Sequence, residues 1–275
     1  MVVQHNLTAA NTNRQLGITT SGLQKSTEKL SSGYKINRAA DDAAGLSISE
    51  KMRNQIRGLN KASDNAQDGI SLVQTAEGAL NEVHSMLQRM SELSVQAANG
   101  TNDTTDRSSI NDEVQQLKTE IQRVGSTTQF NKMNILDGTF SAGANKLLQV
   151  GANANQTIRI DIDALQSVVG SSLKGDLKTE TATNAQSAIT VVQSSIEKLS
   201  KLRSKLGAVQ NRLEHTVANL DNISENTQSS ESRIRDTDMA EEMVQYSKNN
   251  ILQQAGQSML AQANQANQGV LSLLQ

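Results

Sequence analysis

The chain has no cysteine, no proline and no tryptophan, and only two phenylalanines (Phe130, Phe140) and two tyrosines (Tyr34, Tyr246) among 275 residues. Without cysteine there are no disulfides and no thiolate metal sites. Without proline, long helices go uninterrupted by the strongest breaker. With so few aromatics the chain lacks the bulky side chains that usually fill a globular core, yet apolar residues still make up 36% of it. They are mostly Ala, Leu, Ile and Val, the types that pack between parallel helices. No stretch approaches about 18 consecutive apolar residues, so no membrane insertion is expected. The opening MVVQHNLTAANTNRQL lacks the basic and then apolar regions of a secretory signal, which predicts either a cytoplasmic protein or export by a route that reads no cleaved signal. A formal net charge of −2 gives no reason to expect nucleic-acid binding.

What the chain does have is helical spacing. Leu16, Thr20, Leu23, Thr27, Leu30 and Tyr34 step by four and three, the seam of one amphipathic helix that Gly33 can end in the left-handed conformation. Val73, Ala76, Leu80, Val83, Leu87, Met90, Ser94 and Ala97 keep the same rhythm until NGTND at 99–103 breaks it. Ile110, Val114, Leu117, Ile121 and Val124 restart it on a helix that the short loop folds back antiparallel. Ile189, Val192, Ile196 and Leu199, then Leu202, Leu206, Val209, Leu213, Val217 and Leu220, mark a long fourth helix. Leu252, Ala255, Met259, Ala263, Ala266, Val270 and Leu273 mark a terminal one. The two end helices are poor in large apolar residues, with Ala9, Ala10, Thr19, Thr20, Gln253, Gln257 and Gln262 in places a lone helix would fill with bulk. They are therefore expected to gain order on assembly.

Between Phe130 and about Lys174 the period changes. Ile158, Ile160 and Ile162 alternate with Arg159, Asp161 and Asp163, the pattern of a strand with one covered face. LLQV before the turn-rich GANANQ supplies its hairpin partner. The expected fold is mainly α: a long antiparallel helical bundle or coiled-coil rod with a small β-hairpin near 138–164, and paired N- and C-terminal helices.

Catalytic signatures are missing. His5, His84 and His215 stand singly, outside any metal-ligand spacing, and there is no nucleophile elbow, phosphate-binding loop or dinucleotide fingerprint. The expectation is no enzyme, no cofactor and no metal. The stretch INRAADDAAGLSISEKMRNQIRGL, 36–59, places two aspartates and a glycine before a basic helix. Asp41 and Asp42 lack the spacing of a calcium loop, whereas Asp42 suits a helix N-cap, and Ser47 with Glu50 fits a capping box. Arg38, Lys51, Arg53, Arg57 and Lys61 form a basic side. Glu231, Asp236, Asp238, Glu241 and Glu242, in ESRIRDTDMAEEM, form an acidic one. The two segments can pair within a subunit or between subunits, or each can be a solvated helix face.

LSSGYKINRAADDAAGLSISEKMRNQIRGL (30–59), ISLVQTAEGALNEVHSMLQRMSELSVQAANGTN (70–102), QFNKMNILDG (129–138), LLQVGANANQTIRIDI and NNILQQAGQSMLAQANQANQGVLSLLQ resemble bacterial flagellin in order along nearly the whole chain. The resemblance implies a self-assembling subunit of the flagellar filament, of a minimal type with little or no variable surface domain, located outside the cell in the flagellum. It implies an inner layer built from residues 1–43 paired with 233–275, and an outer helical bundle with its hairpin over 44–232. Inner-layer assembly falls to Leu16, Leu23, Leu30, Leu252, Met259, Val270 and Leu273. Arg38, Asp41, Asp42, Arg53 and Arg57 fall where the inner helix passes into the outer bundle and faces neighbouring subunits.

Partners implied by the same resemblance are further copies of the chain, filament cap and junction proteins, the flagellar type III export apparatus and an export chaperone at the C-terminal tail. A host partner, Toll-like receptor 5, would be met by Gln88, Arg89, Glu92 and Leu93 with Glu113 and Gln116. Two alternatives are a hook-filament junction protein or minor flagellin of the same superfamily, and a chemoreceptor-like signalling hairpin. The second would need a symmetric tip and an anchor or sensor, and neither is seen.

Overall fold

The structure, a computed structural model, describes residues 6–141, 146–170 and 179–272. Helices account for most of the chain: α1 (Leu7–Ser32), α2 (Ala43–Ala98), α3 (Thr104–Thr127), α4 (Ala182–Arg235) and α5 (Met239–Ser272). Two short antiparallel pairs, β1 (Gln129–Phe130) with β2 (Met133–Asn134) and β3 (Leu147–Gln149) with β4 (Thr157–Arg159), lie between α3 and α4 in sequence. The chain divides into two compact units, residues 1–55 with 225–275, and residues 56–224. The beginning of α2 and the end of α4 thus belong with the terminal helices, beyond the boundaries 43 and 233 suggested by the resemblance.

In the unit of residues 56–224, the expected α2 seam is the core. Val73, Ala76, Leu80, Val83, Leu87, Met90, Ser94 and Ala97 are all fully buried. Ile110, Val114 and Ile121 of α3 and Val192, Leu199, Leu202 and Leu206 of α4 close around them. Ser94 is tolerated there because its hydroxyl donates to the Met90 carbonyl at 2.7 Å, satisfying a polar group that would otherwise be costly to bury. Glu77 faces Arg203, Ser63 donates to Asp221 and Ser224 donates to Asn60, so α2 and α4 run antiparallel. Arg89 meets Glu113, and Arg107 donates to the carbonyls of Ala97 and Asn99, which folds α3 back along α2 through the loop at 99–103. Asp103 and Asp106 form a reciprocal capping box at the α3 start.

The β3–β4 hairpin pairs Leu148 with Ile158, and Ile158, Ile160 and Ile162 are buried as their alternation requires. It is pinned to α2 by Asn65, whose amide donates to the Gln149 carbonyl. The regular strands are shorter than the alternation, ending at Arg159; Ile160 and Ile162 pack without continuing the ladder. A second hairpin was not expected. Asn131 (φ 48°) and Lys132 (φ 62°) make the two-residue turn between β1 and β2, and the asparagine is its sequence signal.

In the unit of residues 1–55 with 225–275, α1 and α5 lie antiparallel. Asn6 donates to the Ala263 carbonyl, Leu16 sits over Gly256, Gly22 faces Asn249 and Lys29 pairs with Glu242. Both ends are regular helices over their described residues, held by this pairing instead of by bulk. The contact differs from the expected seam. The buried residues of α1 are Thr19 and Ser26, whereas Thr27 is exposed and Leu16, Leu23 and Leu30 are half-buried. On α5, Leu252, Ala255 and Met259 face outward. Small and polar side chains let the two backbones approach, with Leu16 seated over Gly256, while Leu252 and Met259 of α5 are left on the outside. Val270 lies within α5, and Leu273 lies outside the described residues.

Candidate functional site

The turn between α1 and α2 is built from hydrogen bonds. Gly33 ends α1 in the left-handed region (φ 75°), its N–H donating to the Lys29 carbonyl. Asp41 Oδ2 accepts from the backbone N–H of Arg38 at 3.0 Å and of Asn37 at 3.3 Å. The first of these holds the Asp41 carboxyl below its ordinary pKa, helped by Asn37 and by the charges of Lys25 and Arg38. Asp42 Oδ1 accepts from the Gly45 N–H at 2.9 Å and is the N-cap of α2. A side chain at Gly45 would press on the Asp42 carboxylate and come within 2.8 Å of Ile36 Cδ1, itself buried. The two aspartates and the glycine are thus one device for starting α2. Ser47 and Glu50 lie inside α2 and do not form its capping box, because Asp42 has already begun the helix.

Glu50 and Arg53 do something else. Arg235, at the end of α4, donates to Glu50 at 2.7 Å, and Arg53 lies 3.5 Å from Glu50 and 3.9 Å from Glu231. Arg235 also stacks over the Tyr34 ring, 4.7 Å from its centroid. Backbone bonds close the same corner: Lys35 N–H donates to the Arg235 carbonyl, Thr237 N–H to that of Gly33, and Tyr34 bridges Asp236. Basic and acidic segments thus meet within one chain through Arg53 and Glu231. Arg38 instead pairs with Glu28, and Lys51 and Arg57 have no ion pair among the described residues. Arg57 belongs to the unit of residues 56–224. Apolar spacing placed Tyr34 on the α1 seam, but the helix ends at Ser32 and Tyr34 lies beyond it under Arg235, a pairing that spacing and charge counting did not reveal.

A different surface lies on α2 and α3. Gln88, Arg89, Glu92, Glu113 and Gln116 are all exposed, and Arg89 is forked between Glu113 at 3.0 Å and Glu92 at 3.3 Å. Leu93 does not share that surface. It is 2% exposed and packs in the core, because its position on α2 points between α3 and α4, so its side chain is withdrawn from the candidate contact set.

No three metal-binding side chains gather among the described residues, and no described helix is long and apolar enough to cross a membrane. The family models for the bacterial flagellin N-terminal helical region and C-terminal helical region match residues 3–141 and 189–274. The chain belongs to the bacterial flagellin family. This flagellin is 56% identical to a flagellin of Halalkalibacterium halodurans and 51% identical to one of Bacillus subtilis, each alignment covering 100% of both chains. A solved structure, the crystal structure of Bacillus cereus flagellin, is similar with 32% identity and a TM-score of 0.51, covering 57% of this chain and 88% of that one. Membership of the family makes this flagellin a structural subunit of the flagellar filament.

Proposed function

We propose that this flagellin elongates an extracellular filament by burying the outward faces of α1 and α5 against further copies of itself. The observation that carries this reading is the inverted burial of the terminal pair. Leu7 and Ile18 of α1 and Val244, Ile251, Leu252 and Met259 of α5 are between 47 and 76% exposed. Val244 with Ile251 and Leu252 with Met259 are heptad-spaced, so they form one continuous apolar face on α5. An apolar stripe of that length in water favours a helical partner, each buried aliphatic side chain contributing about 1.5–3 kcal/mol. Leu16, Leu23 and Leu30, half-buried beside α5, and Val270 and Leu273 complete the inner layer in this reading. Arg38, Asp41, Asp42, Arg53 and Arg57 set subunit register through charge.

Before assembly the same α5 segment is what an export chaperone covers, and the chain then passes the type III export apparatus without a cleaved signal. Cap and junction proteins bound the filament at its ends. Electron microscopy of the purified chain before and after ammonium sulfate tests the reading. Native protein should give long uniform filaments, and Ile251→Asp with Leu252→Asp should remain monomeric with unchanged helicity. Filaments from the double variant would refute it.

A second role rests on a separate observation, the exposed fork of Arg89 with Glu92 and Glu113, flanked by Gln88 and Gln116. This ridge is the surface we assign to Toll-like receptor 5, because it offers charged groups of both signs on two rigid helices. Surface plasmon resonance with the receptor ectodomain and Arg89→Ala tests it; equal affinity would remove the assignment.

A further inference from the structure

With no cysteine in the chain, the thioether sulfurs of its eight methionines are its only sulfur atoms, and the fold divides those among the described residues by exposure. Met90 is fully buried in the α2 seam, Met52 and Met86 are partly covered, and Met133 stands alone in the first hairpin at 40% exposure. Three others are open along α5: Met239 at 47%, Met243 at 51% and Met259 at 58% exposure. Met259 stands in the heptad-spaced face with Leu252, and Met239 and Met243 lie one turn apart on the opposite side of the same helix, about 24–30 Å away along its axis. None of the three contributes to a core of the single chain, since none belongs to its buried clusters.

We propose that Met239, Met243 and Met259 are oxidation-sensitive positions on the exposed surface of α5 that gate self-association of the monomer. The inference rests on the reading that α5 buries its outward face on assembly. The reaction with hydrogen peroxide is a two-electron oxygen transfer. A thioether sulfur lone pair attacks one peroxide oxygen, the S–O bond forms as the O–O bond breaks, and the departing hydroxide takes up the proton to leave as water. Sulfur is oxidised to the sulfoxide and peroxide is reduced. The product replaces a flexible apolar side chain by a strongly hydrogen-bonding one. In the monomer that change costs little, because all three residues are about half exposed. In an assembled face it leaves a polar oxygen without a partner, which burial penalises. Oxidation therefore separates folding from assembly.

The test treats full-length monomer with hydrogen peroxide, maps sulfoxides by peptide mass spectrometry and measures the critical concentration for seeded filament growth. Oxidation is expected at Met239, Met243 and Met259 ahead of Met90, with the critical concentration raised at least tenfold and the melting curve unchanged. Methionine sulfoxide reductase should restore growth, and the triple variant M239L/M243L/M259L should grow normally with or without peroxide. Unchanged growth of the oxidised monomer overturns the proposal, as does equal loss of growth in the peroxide-treated triple variant. Failure of untreated native protein to grow on seeds would instead overturn the assembly reading beneath it.

Discussion

The Arg235 guanidinium donates to the Glu50 carboxylate at 2.7 Å while stacking on Tyr34, so one side chain fastens the end of α4 to the start of α2 and to the turn after α1. Only 12% of the Arg235 side chain is exposed, against 54% for Glu50. The planar, stacked arginine is therefore the structural member of the pair. Arg235→Ala is expected to lower the melting temperature of the terminal unit by several degrees, and Arg235→Lys to recover less than half of that, because an ammonium cannot stack and fork together. Differential scanning calorimetry of both variants checks this.

The same pair gives a pH dependence with a definite sign. The Arg235 hydrogen bond, aided by the charges of Arg235 and Arg53, holds the Glu50 carboxyl below the usual carboxylate range. A depressed acid stabilises the fold while it is ionised, so its contribution is complete above the ordinary glutamate value and disappears as pH falls through the lowered folded value. Glu50→Gln should therefore melt below the native chain at pH 7, and the gap should narrow as the pH falls below the ordinary glutamate range and through the lowered folded value. Melting temperatures of both proteins across that range are the measurement.

Asp42 and Gly45 should behave as one unit. Asp42→Ala removes the acceptor for the Gly45 N–H and is expected to cost about 1 kcal/mol. Gly45→Ala keeps the acceptor but forces a methyl against Asp42 and Ile36. The double variant should be less costly than the sum of the singles, because shortening the Asp42 side chain clears the space that a methyl on Gly45 needs. Urea unfolding of the three variants decides it.

The contrast between the two units explains which parts of the fold were legible in the sequence. The α2 seam from Val73 to Ala97 was readable because each of its positions is buried by this chain's own α3 and α4, so apolar spacing and intrachain burial coincide. At Leu252 and Met259 the spacing was equally clear, but it marks a face open in the single chain. Spacing identifies a surface that wants a partner without saying whose. The α1–α5 contact itself, through Thr19, Gly22, Ser26 and Gly256, carries almost no hydropathy signal. The corner of Tyr34 and Arg235 joins residues distant in sequence, and pairing among several available charges is decided by backbone geometry. Within the candidate receptor surface, Arg89 and Leu93 are four residues apart, about one turn of α2, and only the packing of α3 and α4 separates an exposed role from a buried one.

The core of the bundle should respond to truncation by the usual cavity rule. Leu80 is fully buried at the middle of the α2 seam, and Leu80→Ala is expected to cost about 3 kcal/mol, within the range of large-to-small core changes. Leu252→Ala, at an exposed site, should change the unfolding free energy of the monomer by no more than about 0.5 kcal/mol. Chemical denaturation of unassembled protein distinguishes them. A large destabilisation by Leu252→Ala would place that side chain in a core of the single chain.

Arg89 and Leu93 provide the sharpest separation of binding from folding. Arg89 spends its charge on exposed carboxylates of Glu113 and Glu92, and such pairs contribute little to stability. Arg89→Ala should thus weaken receptor binding about tenfold, as loss of an interfacial charge does, while leaving the melting temperature within about 2 °C. Leu93→Ala should do the reverse in sequence: a loss of roughly 2–5 kcal/mol of stability first, with receptor affinity reduced only as far as α2 and α3 lose their alignment. Affinity measured at a temperature where both variants remain folded keeps the effects apart. If Leu93→Ala then lost more affinity than Arg89→Ala, the receptor would have to reach beneath the surface that Arg89 and Glu113 now close.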